Sequence, residues 1–223
     1  MDPAPSRVRE DFDRIARLTT PEADRGTRYD AFLLRHLPGG RVLDVGCGTG
    51  VLTRKLSARA THVTGLDLSS EMIRRARAGS SGLSNVTYVE GDLLTADLPP
   101  ASFDGIVTAA TLHHLPLEPA LTRLRALLTP GGVLVVHDLL ASNGWADRAL
   151  DFVRFPVSVA LRFVQTGQLR SSRALRAAWA EHGRGEQYMT AREVHAMCDR
   201  YLPGGRVHLH LLWRYTIVWQ APR

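Results

Sequence analysis

An apolar run that stops on an acid and then places glycine at every second position leaves a chain few ways to fold. Residues 41–50 read RVLDVGCGTG: a strand over 41–45 carrying Asp44, then Gly46, Gly48 and Gly50. Leu52 and Leu56, with Arg54, Lys55 and Arg59 between and beyond them, give the next stretch, 50–59, helical spacing. Strand, glycine loop and helix together bring backbone amides close to a ligand.

The same unit recurs. A strand over 61–66 leads to Asp67, and a helix over 69–78 starts on Ser69 or Ser70 as its cap. Strands follow over 85–89, 103–110 and 133–138, with a helix over 117–128. A helix over 190–201 and strands over 206–211 and 213–220 close the chain. Repeated strand–helix units predict a parallel sheet covered on both faces. The link near Leu212 is too short for a crossover, so the last two strands must be antiparallel. The expectation is one α/β domain over 1–223: a Rossmann-like sheet of seven strands, mostly parallel, with the seventh antiparallel. A helical N-terminal segment (1–30) precedes it, and a helical insert (139–188) follows the fifth strand.

The ligand is legible in where the acids fall. A dinucleotide loop needs a third glycine at position 51, which is Val51. Asp44 beside the loop would repel a pyrophosphate but attract an ammonium or sulfonium. Asp67, closing the second strand, suits the two hydroxyls of a ribose, and Asp92 in EGDLL suits an adenine amine. An amino acid, a ribose and an adenine without phosphates describe S-adenosylmethionine (SAM).

In this order Asp44, Gly46-x-Gly48-x-Gly50, Asp67 and Asp92 resemble the class I SAM-dependent methyltransferases. DLSSEMIRRARA (67–78), SFDGIVTAATLHHL (102–115) and LLTPGGVLVV (127–136) match later blocks of that family in order. The likeness is dense over 40–138 and looser over the final hairpin. It is nearest the small-molecule enzymes of the ubiquinone and menaquinone C-methyltransferase type, the bacterial natural-product branch above all. It implies a SAM site formed by Asp44, Gly46, Cys47, Gly48, Gly50, Asp67, Leu68, Met72, Gly91, Asp92, Leu93 and Ala109. Cys47 is read as a small packing residue rather than a nucleophile.

Methyl transfer from a sulfonium brings its own leaving group, so the protein mainly aligns the reactants. Candidates for a base at the strand ends are His113, His114 and His137, with Asp138 alongside. The resemblance makes His114 a packing histidine, leaving His113 nearer the methyl and His137 as its competitor. Purely positional catalysis remains open. Adjacent histidines on a turn seldom converge on one centre, and no carboxylate pair accompanies them, so no metal is expected.

The insert is the least ordinary stretch. Ten of the 15 aromatic residues, including all four tryptophans, lie after residue 140. Around Phe152–Phe163 only a narrow polar stripe interrupts an apolar wheel, which must be buried against something. An acceptor-covering lid is expected, with Trp145, Phe155, Phe163 and Trp179 as acceptor contacts; a homodimer contact is the competing use. Trp213, Tyr215, Ile217 and Trp219 alternate on the last strand as core.

Bulk properties narrow the partners. All but one of the 28 Lys and Arg residues are arginine, Lys55 being the exception, and they are scattered rather than clustered. A nucleic-acid substrate is therefore not expected. The two cysteines have no metal-type spacing. With neither a signal-like leader nor a long apolar run, the expectation is a cytoplasmic protein without membrane contact, acting on a small electron-rich acceptor in secondary metabolism. The rivals are a methyltransferase of tRNA or protein side chains and a non-catalytic SAM-binding module.

Overall fold

The computed structural model describes residues 5–19, 26–141, 172–210 and 212–223. Its strands are β1 (Arg41–Val45), β2 (His62–Asp67), β3 (Val86–Glu90), β4 (Phe103–Ala109), β5 (Leu128–Leu139), β6 (Arg206–His210) and β7 (Arg214–Gln220). They form one sheet in the order β3-β2-β1-β4-β5-β7-β6. Pairings from β3 through to β5 are parallel, and β7 runs antiparallel to both β5 and β6. The hairpin thus folds back, placing the last strand inside the sheet and β6 at its edge. The seven strands and the antiparallel seventh agree with expectation.

The helices are α1 (Pro5–Leu18), α2 (Asp30–His36), α3 (Val51–Ser57), α4 (Ser70–Gly79), α5 (Leu117–Leu127), α6 (Arg173–His182) and α7 (Ala191–Tyr201). On α5 the spacing of Ala120, Leu121, Leu124 and Leu127 makes one apolar face. It packs with Leu43, Val45, Ile106 and Leu134 of the sheet and with Tyr215, Ile217 and Trp219 of β7. Each such buried leucine is worth about 1.5–3 kcal/mol. Across the sheet, Leu33 of α2 and Leu56 of α3 cover Val42, Val63, Val107 and Val135. Burial on both faces is why β1 reads as a continuous apolar run rather than an alternation.

Two features position the site. The strand order reverses between β1 and β4, which opens a crevice at the carboxyl ends of the strands. Over that crevice α1 docks onto the start of α4. Ser69 caps α4 by accepting from the Met72 amide at 3.1 Å, and its hydroxyl donates to Asp13 Oδ1, which also accepts from the Glu71 amide. Ile15 and Ala16 then pack with Met72 and with Leu175 and Ala178 of α6. Arg14 of α1 pairs with Glu181 of α6 at 2.7 Å. Residues from opposite ends of the chain therefore share one roof. Neither α2 nor α6 is marked in the sequence as a separate element. Among the described residues no helix is long and apolar enough to cross a membrane.

Candidate active site

The glycine loop is shaped by its own backbone. Gly46, Gly48 and Gly50 have φ of 70°, 53° and 78°, a left-handed conformation that side chains disfavour. A Cβ on Gly46 would run into Thr111, and one on Gly50 into the Tyr88 hydroxyl. Gly46 and Cys47 both donate their amides to the Leu66 carbonyl, fastening the loop to the end of β2. Asp67 completes the hold: Oδ2 accepts from the Gly48 amide at 2.8 Å and Oδ1 from the Ser69 amide at 2.9 Å. Burial nevertheless raises its carboxyl above the ordinary value. Each oxygen keeps a second lone pair for a ribose hydroxyl.

A cavity of about 460 Å³ opens at this loop. Of the expected cofactor residues, Gly46, Gly48, Asp67, Leu68, Met72, Gly91, Asp92, Leu93 and Ala109 line it. Asp92 is held in place by the Leu94 amide, which donates to its Oδ1 at 2.9 Å. Three expected residues stand outside the lining. Gly50 caps α3, and Cys47 packs with Ile73, Ala76 and Tyr88. Asp44 is buried one layer below the loop, where the Thr53 hydroxyl donates to its Oδ2 at 2.6 Å. Burial pushes the Asp44 carboxyl up to about 7 in spite of that bond.

The rest of the lining comes from the roof and from the turn after β4. Val8 and Phe12 of α1 and Trp179 of α6 enter the cavity, with Thr111, His114, Leu115 and Pro116 opposite. The Phe12 ring meets His114 and Trp179 edge-on, with centroids 5.3 and 6.2 Å apart. Val8, Phe12 and Ile15 are spaced as one helical face, a signal in the sequence that goes unused there. Trp179, expected as an acceptor contact, lines the cavity; Trp145, Phe155 and Phe163 fall outside the described residues.

The histidines are not arranged as the sequence reading had them. His114, not His113, lines the cavity. The chain leaves β4 through Ala110 at φ 55° and enters a 3-10 turn, Leu112–His114, which turns His113 inward. His113 Nδ1 stands 2.6 Å from Asp138 Oδ1, and its amide donates to Asp138 Oδ2. Its Nε2 is 3.2 Å from Glu186 Oε2. Burial opposes a charge on this ring, but the two carboxylates outweigh it and push His113 up to about 9. Burial lowers His114. His137 also departs from expectation, pointing to the other face of β5. There Nδ1 meets Thr216 Oγ1 at 2.8 Å and the ring packs on Tyr29. Burial brings it down to about 4, so it is a neutral packing histidine, and its side chain does not line the cavity.

Glu186 is the residue that the sequence did not flag. Its carboxylate gathers His113, His114 and His182, and accepts from the Tyr188 hydroxyl at 2.6 Å. These contacts hold it well below the usual carboxylate range against the effect of burial. Nothing local in GRGEQY marks it, since its partners come from β4's turn and from α6.

Comparison with known proteins gives the same picture. Residues 42–132 match a family profile described as a methyltransferase domain. An uncharacterized methyltransferase of Mycobacterium tuberculosis is 32% identical over 200 residues, covering 87% of this chain and 94% of that protein. A ubiquinone biosynthesis O-methyltransferase of Xanthomonas campestris is 41% identical over 106 residues, covering 46% and 44% of the two chains. Among solved structures, a SAM-dependent methyltransferase from Aquifex aeolicus superposes with a TM-score of 0.61 at 19% identity, covering 97% of this chain and 98% of that one.

Proposed function

Since the chain belongs to the class I SAM-dependent methyltransferases, we propose that it methylates a small acceptor with a flat, apolar body, in secondary metabolism. The observation that carries this is the composition of the cavity wall. One group of residues, Asp67, Asp92, Gly46 and Gly48, suits SAM. The other, Val8, Phe12, Leu115, Pro116 and Trp179, is apolar and aromatic. Aromatic walls with few polar groups are what small, largely apolar ligands need. A macromolecular acceptor would instead call for a clustered basic face, and among the described residues no arginine or lysine lines this cavity.

In this reading α1 and α6, the latter within the 139–188 insert, form one acceptor-side cover, with Trp179 among its contacts. His114 is the histidine that lines the cavity, and in this reading His113 positions it from behind rather than acting as the base. Burial favours the neutral form of His114, whose outward ring nitrogen can hydrogen-bond and orient the acceptor. The runner-up use of the insert, a homodimer contact, rests on its apolar wheel alone.

The test is S-adenosylhomocysteine formation with phenols, indoles and quinone precursors, set against tRNA and peptide pools. Phe12→Ala and Trp179→Ala should raise the acceptor KM while leaving SAM affinity within about threefold, as expected when only acceptor binding is lost. Turnover with tRNA but with no small molecule would refute the proposal.

A further inference from the structure

Behind His114 the structure gathers a set of side chains that a methyl-transfer site does not require. His113, His114, His182 and Glu186 come from the turn after β4, the end of α6 and the segment beyond it. Their side chains are only 6–7% exposed. His114 Nδ1 and His182 Nε2 each lie 2.9 Å from the same atom, Glu186 Oε1. His113 Nε2 lies 3.2 Å from Oε2. We propose that these four residues form a binding site for one divalent first-row transition-metal ion in the wall of the cavity.

Three independent features carry this. The first is alignment. An ion-pair cluster of protonated imidazoles would aim its N–H groups at the carboxylate oxygens. Yet His114 Nδ1, His182 Nε2 and Glu186 Oε1, all buried, make no aligned hydrogen bond in spite of their closeness. Groups this close but misaligned keep only their mutual ion-pair attraction, and ring nitrogens and a carboxylate converging on a shared point are what a cation satisfies. The second is the outer layer of contacts. His113 presents Nδ1 to Asp138 at 2.6 Å, and His182 presents Nδ1 to Asp11 at 3.1 Å. In each ring the carboxylate holds Nδ1 and leaves Nε2 directed inward, where an entering ion would displace its proton and take the lone pair. That is the carboxylate–histidine pairing that orients metal ligands. Two rings from distant segments are prepared in the same way.

The third is span. The ligating atoms of His113, His114 and Glu186 all lie within 4.8 Å of one another. Ligands about 2.0–2.2 Å from one ion stand at most roughly 4.2 Å apart, so these three form the core of the site, and His182, 2.9 Å from Glu186 Oε1, joins it by drawing closer to the other two rings. Three imidazoles and one carboxylate suit zinc, iron(II), cobalt(II) or nickel(II) rather than magnesium or calcium, which prefer all-oxygen sites. Bound there, the ion would tie the turn carrying His114 to the end of α6, fixing the wall that faces the acceptor. The expectation of no metal rested on the two adjacent histidines lacking supporting ligands, and Glu186 and His182 supply them. The inference is independent of the acceptor's identity, because the site is read without turnover.

The probe is Co²⁺ alone, titrated into the chelator-stripped, tag-free full chain and followed by its visible d–d absorption, with Zn²⁺ as competitor. One equivalent should bind and be displaced by Zn²⁺. Glu186→Gln and His182→Ala should each weaken Co²⁺ binding at least 100-fold. Asp11→Asn, at the partly exposed outer position, should weaken it about 10–100-fold. Calorimetry with SAM checks that each variant is folded, and Asp11→Asn serves if the buried variants are not. Absence of saturable Co²⁺ or Zn²⁺ uptake overturns the proposal. So does uptake unchanged in all three variants, which would locate the ion elsewhere, for example on His36 and His208.

Discussion

Replacing Asp44 with asparagine should make the free protein more stable and the SAM complex weaker, with both effects growing as pH rises. Asp44 is fully enclosed, and its described hydrogen bond comes from Thr53. Its carboxyl titrates at about 7 in the folded chain against an ordinary 3.8. The folded state therefore holds a proton that the unfolded state gives up. Below pH 4 both states are protonated and the residue is neutral in its effect. Stability is then lost as pH rises from about 4 to 7, and the full cost remains above 7. At about 1.36 kcal/mol per pH unit that cost is about 4 kcal/mol, of which about 2.5 falls between pH 5 and 8. Asparagine keeps an acceptor for Thr53 but buries an amide without a new partner, a pH-independent loss of about 1–3 kcal/mol. The informative quantity is therefore the slope. Urea unfolding of Asp44→Asn and the parent should show the variant gaining about 2.5 kcal/mol relative to the parent between pH 5 and 8. Other titrating groups, His137 among them, cancel in the difference. Two curves that stay parallel across that range would refute the reasoning. The complement is binding: a cofactor ammonium above the loop favours ionised Asp44. Parental SAM affinity should then rise about 20-fold from pH 5.5 to 7.5, while that of Asp44→Asn stays flat.

Two further outcomes follow from the loop. If Asp67 accepts from both ribose hydroxyls as proposed, charge-assisted bonds worth about 1.5–3 kcal/mol each before water recovers part, calorimetry on Asp67→Ala should show SAM bound about 10²-fold more weakly; unchanged affinity would count against the ribose assignment. Gly50→Ala forces a side chain into left-handed backbone and against the Tyr88 hydroxyl, and should cost about 2–4 kcal/mol in denaturant unfolding, with Tyr88→Phe relieving part of it; an unshifted midpoint would contradict the packing described.

The sheet and the glycine loop that edges the cavity were legible because each depends on local chemistry. Apolar runs ending in Asp44 and Asp67, and glycines where φ is positive, write strand, turn and ligand into a few neighbouring residues. Even so, local reading stops short of depth. Asp44 and Cys47 belong to the same motif as Gly46 and Gly48, yet the pleat of β1 and the turn of the loop carry them beneath the cavity rather than into it. Direction failed for the histidines for a similar reason. His137 and Asp138 are adjacent on β5 and so face opposite sides of the sheet, and only the partner, Thr216 or His113, tells which side matters. Glu186 was illegible in principle. Its meaning comes from three histidines at least four positions away in sequence, brought together by the packing of α6 on α1.

The placement of β7 has a consequence for synthesis. It is the strand that covers the far edge of β5, yet it begins at residue 214 whereas β5 ends at 139. At about 5–20 residues per second, the ribosome takes roughly 4–15 s to make what lies between. Throughout that interval VLVVHDL, residues 133–139, presents a row of unpaired amides and carbonyls on one of the most apolar strands of the chain. Such an edge is a template for another strand, including the same strand of a neighbouring nascent chain. A stop codon that deletes only the final ten residues would therefore do more than remove an edge element. It would leave this template permanently open, and the product would be collected as aggregate rather than as a weakened enzyme.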